Sequence, residues 1–511
     1  MKKLFLIILL FALNLPVLAL TDYEQIIDKN QGVFLTYEDL VQLSMVEKPE
    51  GKLKNKLDLQ LNTPIIFQPA VTNPVFLHGM ILGNFIRVAS WNIERGFNIS
   101  LIENLFLRNT SQSKHESREE LEILSNAQIV ILNEVDIGLP RTHYQNIVKH
   151  LANTLKMGYV FGTEFIEVDP YQLGIKKFTE EEKTFLEEEA LRQLDNIEKD
   201  KFHGLHGNAI LSKFPIIDAK IIRLPECYNW YKKESEKLSA LELLRRGTAE
   251  QIFSEKVLTE LRHGNRIALV TNLKLPNKET LTVVATHLEN RCMPECRYKQ
   301  LEYLLHRLRN IKNPLILAGD FNTTGTDASP TSIKKEVLKK VKNPAYIAKQ
   351  AILYLTPLSI VQNFALNTAN AFRSFKDPTT KDIPILFPNK ERLLFDLIKE
   401  YRFNDGGAFD TRGIAEKSHG STGYLSNSNE RELKGFKSTF ELQKNFGVAR
   451  FKLDWIFVKP KKLKNSYDKK GSYAFAPHFG RTLKLANRIF GEKISDHDPI
   501  TVDIPIGEPV N

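Results

Sequence analysis

Short apolar segments of strand length recur from Phe85 onward, and each ends in polar residues or a turn former. Segments rich in Val, Ile, Leu and Phe with such ends are typical of strands in a buried sheet. Eight of them are FIRVASWNI, AQIVILNEV, NAILSKFPI, RIALVTNLKL, LTVVATHL, PLILAGDFN, FKLDWIFV and DPITVDIP. This number of strands constrains the chain to a sheet-rich core.

Helical patterns lie between several of these segments. SREELEILSNA precedes the second segment, and RYKQLEYLLHRLRNI, with its leucines on one helical face, precedes the sixth. Strands and helices that share one core predict an α+β fold in which two sheets pack together with helices outside.

The first 20 residues, MKKLFLIILLFALNLPVLAL, place two lysines ahead of an apolar run that ends near Ala19. This order is typical of a signal peptide, which we predict over residues 1–19, with cleavage on export to the periplasm or the exterior. The alternative is an uncleaved anchor, but Asn14 and Pro16 shorten the apolar run below the roughly 20 residues that span a bilayer. We predict no integral membrane span in the mature chain.

The strand pattern begins at Phe85 and divides the remaining chain into two parts. We predict a leader of unknown role over residues 20–84 and one main domain over residues 85–506. Within that domain, stretches without the strand pattern predict helical insertions at about residues 165–205 and 325–435.

The chain is basic, with a formal net charge of +10, to which the two lysines of the predicted signal peptide contribute. A basic surface fits a polyanionic substrate or an anionic surface. Many exported proteins are basic without such a ligand, so charge alone does not choose a substrate.

Three cysteines are too few for a disulfide framework. Cys292 and Cys296, four positions apart, could form a local bridge in an oxidising compartment and leave Cys227 free. The alternative is that Cys292 and Cys296 are two unpaired thiols.

The polar residues at the strand ends are mainly oxygen and imidazole donors. They are Asn92, Glu94, Glu134, His287, Asp320, Asn322, Asp454, Asp496 and His497. Taken singly, each has an ordinary explanation, such as a turn cap at Asn92 or a lysine partner for Glu134. Together, buried carboxylates need a cation or hydrogen bonds to compensate their desolvation. With no Cys and few His, the set predicts Mg²⁺ or Mn²⁺ before zinc.

Seven of these stretches occur in an order that resembles the endonuclease/exonuclease/phosphatase superfamily. They are WNIERG, LNEVD, GNAILSKFPI, THLENR, GDFN, LDWIFV and SDHDPI. This superfamily includes pancreatic-type deoxyribonucleases, abasic-site endonucleases, neutral sphingomyelinases and inositol polyphosphate 5-phosphatases. The resemblance covers about residues 85–505 and implies a four-layer αββα sandwich of two packed mixed sheets. GDFN and SDHDPI together are specific, whereas either one alone is not.

The resemblance also implies roles for individual residues. Glu134 is similar to the metal carboxylate of the family, with Asn92, Glu94 and Asp496 beside it. At Glu94 the family more often has Asp, which leaves the ligand role of this residue open.

For the reaction itself, Asp454 and His497 resemble a carboxylate and imidazole pair. Asp320 and Asn322 resemble the residues that position the attacking water and hold a phosphoryl oxygen, and His287 resembles the histidine near the leaving group or a non-bridging oxygen. Either His497 or Asp320 could be the general base.

Further polar residues could contact the substrate. Asn92 and Asn208 are expected at the site itself. Arg431, His478 and Arg481 lie in polar stretches near the last two catalytic strands and are candidate phosphate or head-group contacts, with ordinary loop polarity as the alternative.

These expectations combine into an exported, Mg²⁺-dependent phosphoesterase. The favoured reaction is hydrolysis of a phosphodiester, in a nucleic acid or a phospholipid, by in-line attack of an activated water. The alternatives are a phosphomonoesterase of inositol phosphate type and a non-catalytic binding or effector module on the same fold.

Overall fold

The computed structural model describes residues 34–69, 74–108, 115–177, 197–236, 260–323, 391–420, 422–432, 435–443 and 448–509. The predicted signal peptide and most of the predicted insertion at 325–435 lie outside these ranges. The helices are α1 Tyr37–Met45, α2 Gly51–Asn62, α3 Ile99–Leu107, α4 His115–Ser125, α5 Ile147–Leu155, α6 Pro294–Leu308 and α7 Arg392–Glu400. No helix in these ranges is long and apolar enough to cross a bilayer.

The larger sheet has the strand order β1-β5-β6-β4-β3-β18-β17, and β2 and β8 pair with β3 and β5. Its strands are β1 Ile65–Phe67, β2 Leu77–Gly79, β3 Gly83–Arg95, β4 Ile129–Ile137, β5 Gly158–Glu167, β6 Leu205–Ser212, β8 Arg262–Gly264, β17 His478–Thr482 and β18 Ile500–Pro505. β3 and β4 are parallel, and β18 runs antiparallel to β3.

The smaller sheet has the strand order β16-β11-β10-β9-β7. Its strands are β7 Ile216–Arg223, β9 Ile267–Lys274, β10 Thr280–His287, β11 Leu315–Asp320 and β16 Asp454–Lys459. Two short antiparallel pairs lie between β11 and β16 in the sequence. They are β12 Arg431–Glu432 with β13 Gly435–Phe436, and β14 Phe440–Gln443 with β15 Val448–Phe451.

The two sheets pack face to face, and helices cover their outer faces. Alternate residues of a strand point to opposite faces, so on β11 Ile316 packs between the sheets while Leu317 packs outward. The outward residues of the smaller sheet contact α6 and α7, and those of the larger sheet contact α1 to α5. This arrangement confirms the predicted four-layer αββα sandwich.

The strand directions bring the predicted site residues to one edge of the sandwich. In the parallel pair β3–β4, Asn92 lies opposite Asn133, and in the parallel pair β10–β11, His287 lies opposite Asp320. Asp454 begins the antiparallel strand β16 opposite Asp320. The carboxyl ends of four strands therefore meet at this edge.

The described part of the predicted leader belongs to the same folded body. β1 pairs with β5 in the larger sheet, and β2 pairs with β3. Leu40 and Leu43 of α1 and Leu61 of α2 are buried in the core outside that sheet. The strand pairing from residue 65 onward is not visible in a polar, mixed sequence.

The disulfide joins Cys227 and Cys296, and Cys292 is the free cysteine. The predicted local bridge between Cys292 and Cys296 is therefore wrong. Cys296 lies in the first turn of α6, and the segment that follows β7 brings Cys227 within a Cα–Cα distance of 5.9 Å. A tertiary contact between positions 69 residues apart decides the pairing, and the spacing of cysteines along the chain does not reveal it.

We expect peptide mapping under non-reducing conditions to recover a Cys227–Cys296 peptide. Because this bridge closes a long loop in the unfolded chain, Cys227→Ser should lower the free energy of unfolding by about 2–4 kcal/mol. Cys292→Ser is the matched control and should leave the melting temperature close to that of the wild type. Recovery of a Cys292–Cys296 peptide from folded protein would contradict the assignment.

Candidate active site

The loop before β18 is fastened to the end of β3 by buried hydrogen bonds. The Ser495 hydroxyl donates to the Asn92 carbonyl oxygen (2.7 Å) and accepts from the His497 amide (3.2 Å). The Trp91 indole N–H donates to the His497 carbonyl oxygen (2.8 Å). These bonds fix the backbone on both sides of the His497 imidazole, so the ring has a defined place at the edge of the sheet.

His497 and Asp454 form a buried pair. The distance from His497 Nδ1 to Asp454 Oδ2 is 2.8 Å, and the Phe440 ring packs against the imidazole with its centroid 4.9 Å away. Burial alone would lower the pKa of His497, but the charges of Asp454 and Asp496 outweigh it and hold this pKa well above its ordinary value. Asp454 thus both orients the ring and stabilises its cationic form.

Asp320 contacts site residues from both sheets. Its Oδ2 atom is 3.3 Å from Asn92 Nδ2, 3.5 Å from His287 Nε2 and 3.8 Å from His497 Nε2. Its Oδ1 atom accepts from the Asn322 amide at 2.7 Å. Burial raises the pKa of Asp320, and the charge of His497 opposes this effect.

Three further carboxylates, Glu94, Glu134 and Asp496, approach the same edge. The Asn92 side-chain amide donates to Glu134 (3.2 Å), and the Asp496 backbone amide donates to Glu94 (3.1 Å). Glu94 and Glu134 have φ angles of 48° and 53°, a strained conformation for a residue with a side chain. Strain of this kind persists only where the surrounding structure holds the backbone in place.

The carboxylates carry more negative charge than the local hydrogen bonds compensate. Burial and the neighbouring charge of Asp496 raise the pKa of Glu94 to about 7, and burial also raises the pKa of Asp496. For Glu134, burial would raise the pKa, but neighbouring positive charge, including that of Arg95, and the hydrogen bond from Asn92 outweigh it and lower the pKa. Carboxylate oxygens are the ligands that a hard divalent cation prefers, and the metal role of these three residues stays a prediction.

Among the described residues, one group of carboxylates and an imidazole lies close enough together to accept a cation. Asp320, Asp454 and His497 each offer one ligand atom, and these atoms lie within 4.8 Å of one another. Two of them already share the short Asp454–His497 hydrogen bond. The donor set therefore fits the predicted cation and does not distinguish Mg²⁺ from Mn²⁺.

A chain of buried hydrogen bonds leads away from Asp320 and joins the predicted Asn208 to two residues that the sequence did not reveal, Asn133 and Glu164. Asn133 accepts from the Asp320 amide (2.9 Å) and donates to Asn208 (2.7 Å), and Asn208 donates to Glu164 (3.0 Å). Asn208 thus reaches Asp320 only through Asn133. The available signal was a polar residue inside an apolar strand, as Asn133 is in IVILNEV and Glu164 is in FGTEFIE.

The structure ties three predicted substrate contacts to other partners. His478 Nδ1 is 3.0 Å from the Ala476 carbonyl oxygen, and the Arg431 guanidinium lies over the Phe436 ring. Arg481 pairs with Glu119 of α4 (2.7 Å) and contacts His419. His478 and Arg481 belong to β17, the edge strand beyond β18, and the role of these residues toward a substrate stays a prediction.

Asn322 also has a defined structural contact. Its side-chain amide donates to the Leu288 carbonyl oxygen (2.9 Å), and its φ angle is 46°. The residue therefore links the segments that follow the C-terminal ends of β11 and β10, and it turns the backbone next to Asp320.

The fold and the site define a class of protein: an αββα sandwich with carboxylates, amides and imidazoles gathered at one edge. The family model for the endonuclease/exonuclease/phosphatase family matches residues 89–497, most of the chain. The chain belongs to this family, whose members are generally hydrolytic phosphoesterases and typically depend on a divalent metal. No curated protein matches the chain.

Several solved structures are similar to the chain at low identity. An endonuclease/exonuclease/phosphatase from Beutenbergia cavernae DSM 12333 is 15% identical, with a TM-score of 0.37 over 83% of this chain and 72% of that chain. The human Nocturnin catalytic domain is 16% identical, with a TM-score of 0.35 over 84% and 94%. A mannosyl-6-phosphatase from Bacteroides thetaiotaomicron VPI-5482 is 12% identical, with a TM-score of 0.35 over 83% and 100%. Similarity at this level does not indicate the substrate of this chain.

The raised pKa of Glu94 predicts a pH-dependent stability in the metal-free protein. Because the folded state favours protonated Glu94, its contribution to stability is present below the ordinary pKa of 4.5 and is lost as pH rises through about 7. In EDTA, Glu94→Gln should therefore raise the free energy of unfolding at pH 8 by up to about 3 kcal/mol and have little effect at pH 4.

Urea unfolding between pH 4 and pH 8 measures this difference. Glu302→Gln, on the exposed side of α6, is the matched control and should unfold like the wild type at every pH. A Glu94→Gln variant whose stability parallels that of the wild type over this range would contradict the raised pKa.

Proposed function

We propose that the chain is an exported, Mg²⁺-dependent phosphoesterase that hydrolyses a phosphodiester of a nucleic acid or a phospholipid. The proposal rests on one observation. One amide and two imidazoles surround a buried carboxylate oxygen, Asp320 Oδ2. The nearest nitrogen atoms of Asn92, His287 and His497 lie at 3.3, 3.5 and 3.8 Å. Donors and an acceptor that converge in this way can hold a phosphoryl oxygen and orient a water molecule beside it.

Glu134, Glu94 and Asp496 would hold the cation. When bound, it would neutralise the charge of the phosphoryl oxygens and lower the pKa of a coordinated water. The side-chain oxygen of Asn92 already accepts from the Glu94 amide (3.1 Å), so we assign Asn92 to the substrate through its N–H group. The amide and His287 would then donate to non-bridging oxygens, whose negative charge otherwise repels a nucleophile.

Asp320 and His497 would activate the attacking water together. Asp320 would orient the water through its Oδ2 atom and accept its proton, while the new phosphorus–oxygen bond forms and the bond to the leaving group breaks. Asp454 holds the pKa of His497 above its ordinary value, so the ring is an imidazolium at neutral pH and stabilises the negative charge beside Asp320. We treat the three residues as one coupled group, because interacting sites titrate as a unit.

Charge and the N-terminal pattern support the finer parts of the proposal. A net charge of +10 fits the polyanionic backbone of a nucleic acid or an anionic lipid surface. The signal-like residues 1–19 and the Cys227–Cys296 bridge fit an exported protein, since disulfides persist in oxidising compartments.

The activity is tested with bis(p-nitrophenyl) phosphate in Mg²⁺ and in EDTA. We expect turnover in Mg²⁺ and its loss in EDTA. His497→Ala should lower kcat by about 10²–10⁴, the contribution of a positioned acid–base group, with an unchanged circular dichroism spectrum. His306→Ala, an exposed histidine of α6, is the matched control and should keep full activity.

Two results would contradict the proposal. A folded protein that shows no turnover of any phosphoester in Mg²⁺ or Mn²⁺ favours a non-catalytic binding module. A His497→Ala variant that keeps most of its rate removes this residue from the reaction.

The substrate class is tested with plasmid DNA, RNA, sphingomyelin vesicles and inositol phosphates, each with the wild type and His497→Ala. We expect release of product from a nucleic acid or the phospholipid and none from the inositol phosphates. Turnover of inositol phosphates alone would show that the enzyme is a phosphomonoesterase of inositol phosphate type and not a phosphodiesterase.

A further inference from the structure

A buried arginine contacts His287 on the side that faces away from Asp320. Arg266 directly precedes β9 and has an exposed fraction of 2%. Its Nη1 atom lies 2.7 Å from His287 Nδ1 and 3.0 Å from Glu164 Oε2. Neither the family match nor the proposed reaction above gives this residue a role.

The short Arg266–His287 distance determines which imidazole nitrogen carries the proton. A guanidinium is always protonated and has only N–H donors. A nitrogen atom 2.7 Å from Nη1 must therefore accept, so Nδ1 carries a lone pair. The proton of a neutral imidazole then resides on Nε2, which is the atom 3.5 Å from Asp320.

For the opposite tautomer, no described residue offers an acceptor within 3.5 Å of Nδ1. Glu164 Oε2 is 3.6 Å from His287 Nδ1, beyond the length of a hydrogen bond. That oxygen accepts from Arg266, and Oε1 of the same carboxylate accepts from Asn208 at 3.0 Å. A proton on Nδ1 would face the arginine N–H at 2.7 Å without a partner.

The charges around Arg266 keep this arrangement in place. Burial would raise the pKa of Glu164, but the charge of Arg266 outweighs it and lowers the pKa to about 2. Glu164 is therefore ionised near neutral pH, and its Oε2 atom and His287 Nδ1 both lie within hydrogen-bonding distance of the same arginine nitrogen, Nη1. The ion pair is inaccessible to solvent, since both residues are buried.

We propose that Arg266 is a positioning residue that holds His287 as a neutral imidazole with its proton on Nε2. His287 then acts as a hydrogen-bond donor to a non-bridging phosphoryl oxygen and does not transfer a proton during the reaction. This inference rests on the proposed phosphoesterase function and deepens it, because it separates the roles of the two histidines that face Asp320.

The tautomer is tested by ¹⁵N NMR of histidine-labelled protein in EDTA, with the signals of His287 assigned by their loss in His287→Gln. We expect Nδ1 to resonate as an unprotonated nitrogen and Nε2 as a protonated one. Arg266→Lys, which retains a donor, should preserve this pattern, and Arg266→Met should change it. A protonated Nδ1 in the wild type would overturn the proposal.

The catalytic consequence is tested by replacing His287 with amides of two lengths. Gln places an N–H group near the position of Nε2, and Asn places one near Nδ1. We expect His287→Ala and His287→Asn to lower kcat by about 10²–10³, as removal of one oxyanion donor does. His287→Gln should retain about tenfold more activity than either, because only a neutral donor is required. Equal losses in all three variants would overturn the donor role.

The two proposals fail in different ways. A wild-type protein without phosphoesterase activity contradicts the proposed function, and the NMR experiment still decides the tautomer of His287. An active protein with a protonated Nδ1 leaves the function in place and overturns the role of Arg266.

Discussion

The burial of carboxylates at one edge of the sandwich is the constraint on which the rest of the site depends. Asp320 and Asp454 have exposed fractions of 2% and 0%, and an unpaired charge at such a position costs several kcal/mol. The compensating groups come from separate elements: Asn92 from β3, His497 from the loop before β18, and the Asn322 amide after β11. The site is therefore complete only when both sheets are assembled, and it cannot form in any one segment.

The sandwich meets this constraint through strand direction. Parallel pairing places the ends of β3 and β4 together in one sheet and those of β10 and β11 together in the other. Side chains at the two exits then face each other across the gap between the sheets, where Asn92 of one sheet contacts Asp320 of the other. Apolar residues fill this gap farther inside.

Much of this arrangement was predictable because it depends on local patterns. Apolar runs such as LILA in LILAGD indicated the two sheets, and the polar residues that close the strands indicated the site. Other features depend on long-range contacts. The spacing of Cys292 and Cys296 allowed a local bridge or two free thiols, whereas the packing of α6 selects Cys227. The contact between Arg481 and Glu119 of α4 likewise joins positions far apart in the sequence. Arg266 carried no signal, since an arginine at the start of a strand is ordinarily exposed.

The partners of the two histidines distinguish their chemistry. His497 faces a carboxylate, which stabilises the imidazolium form of this ring. His287 faces a guanidinium, whose N–H group leaves Nδ1 as an acceptor and disfavours a second positive charge on the ring. Both rings point an Nε2 atom at the same Asp320 oxygen. In the proposed reaction, His497 would therefore act as the charged donor beside Asp320, and His287 as the neutral one. The fold supplies the positions of the two rings, and the charged residue next to each ring sets the charge that the ring favours.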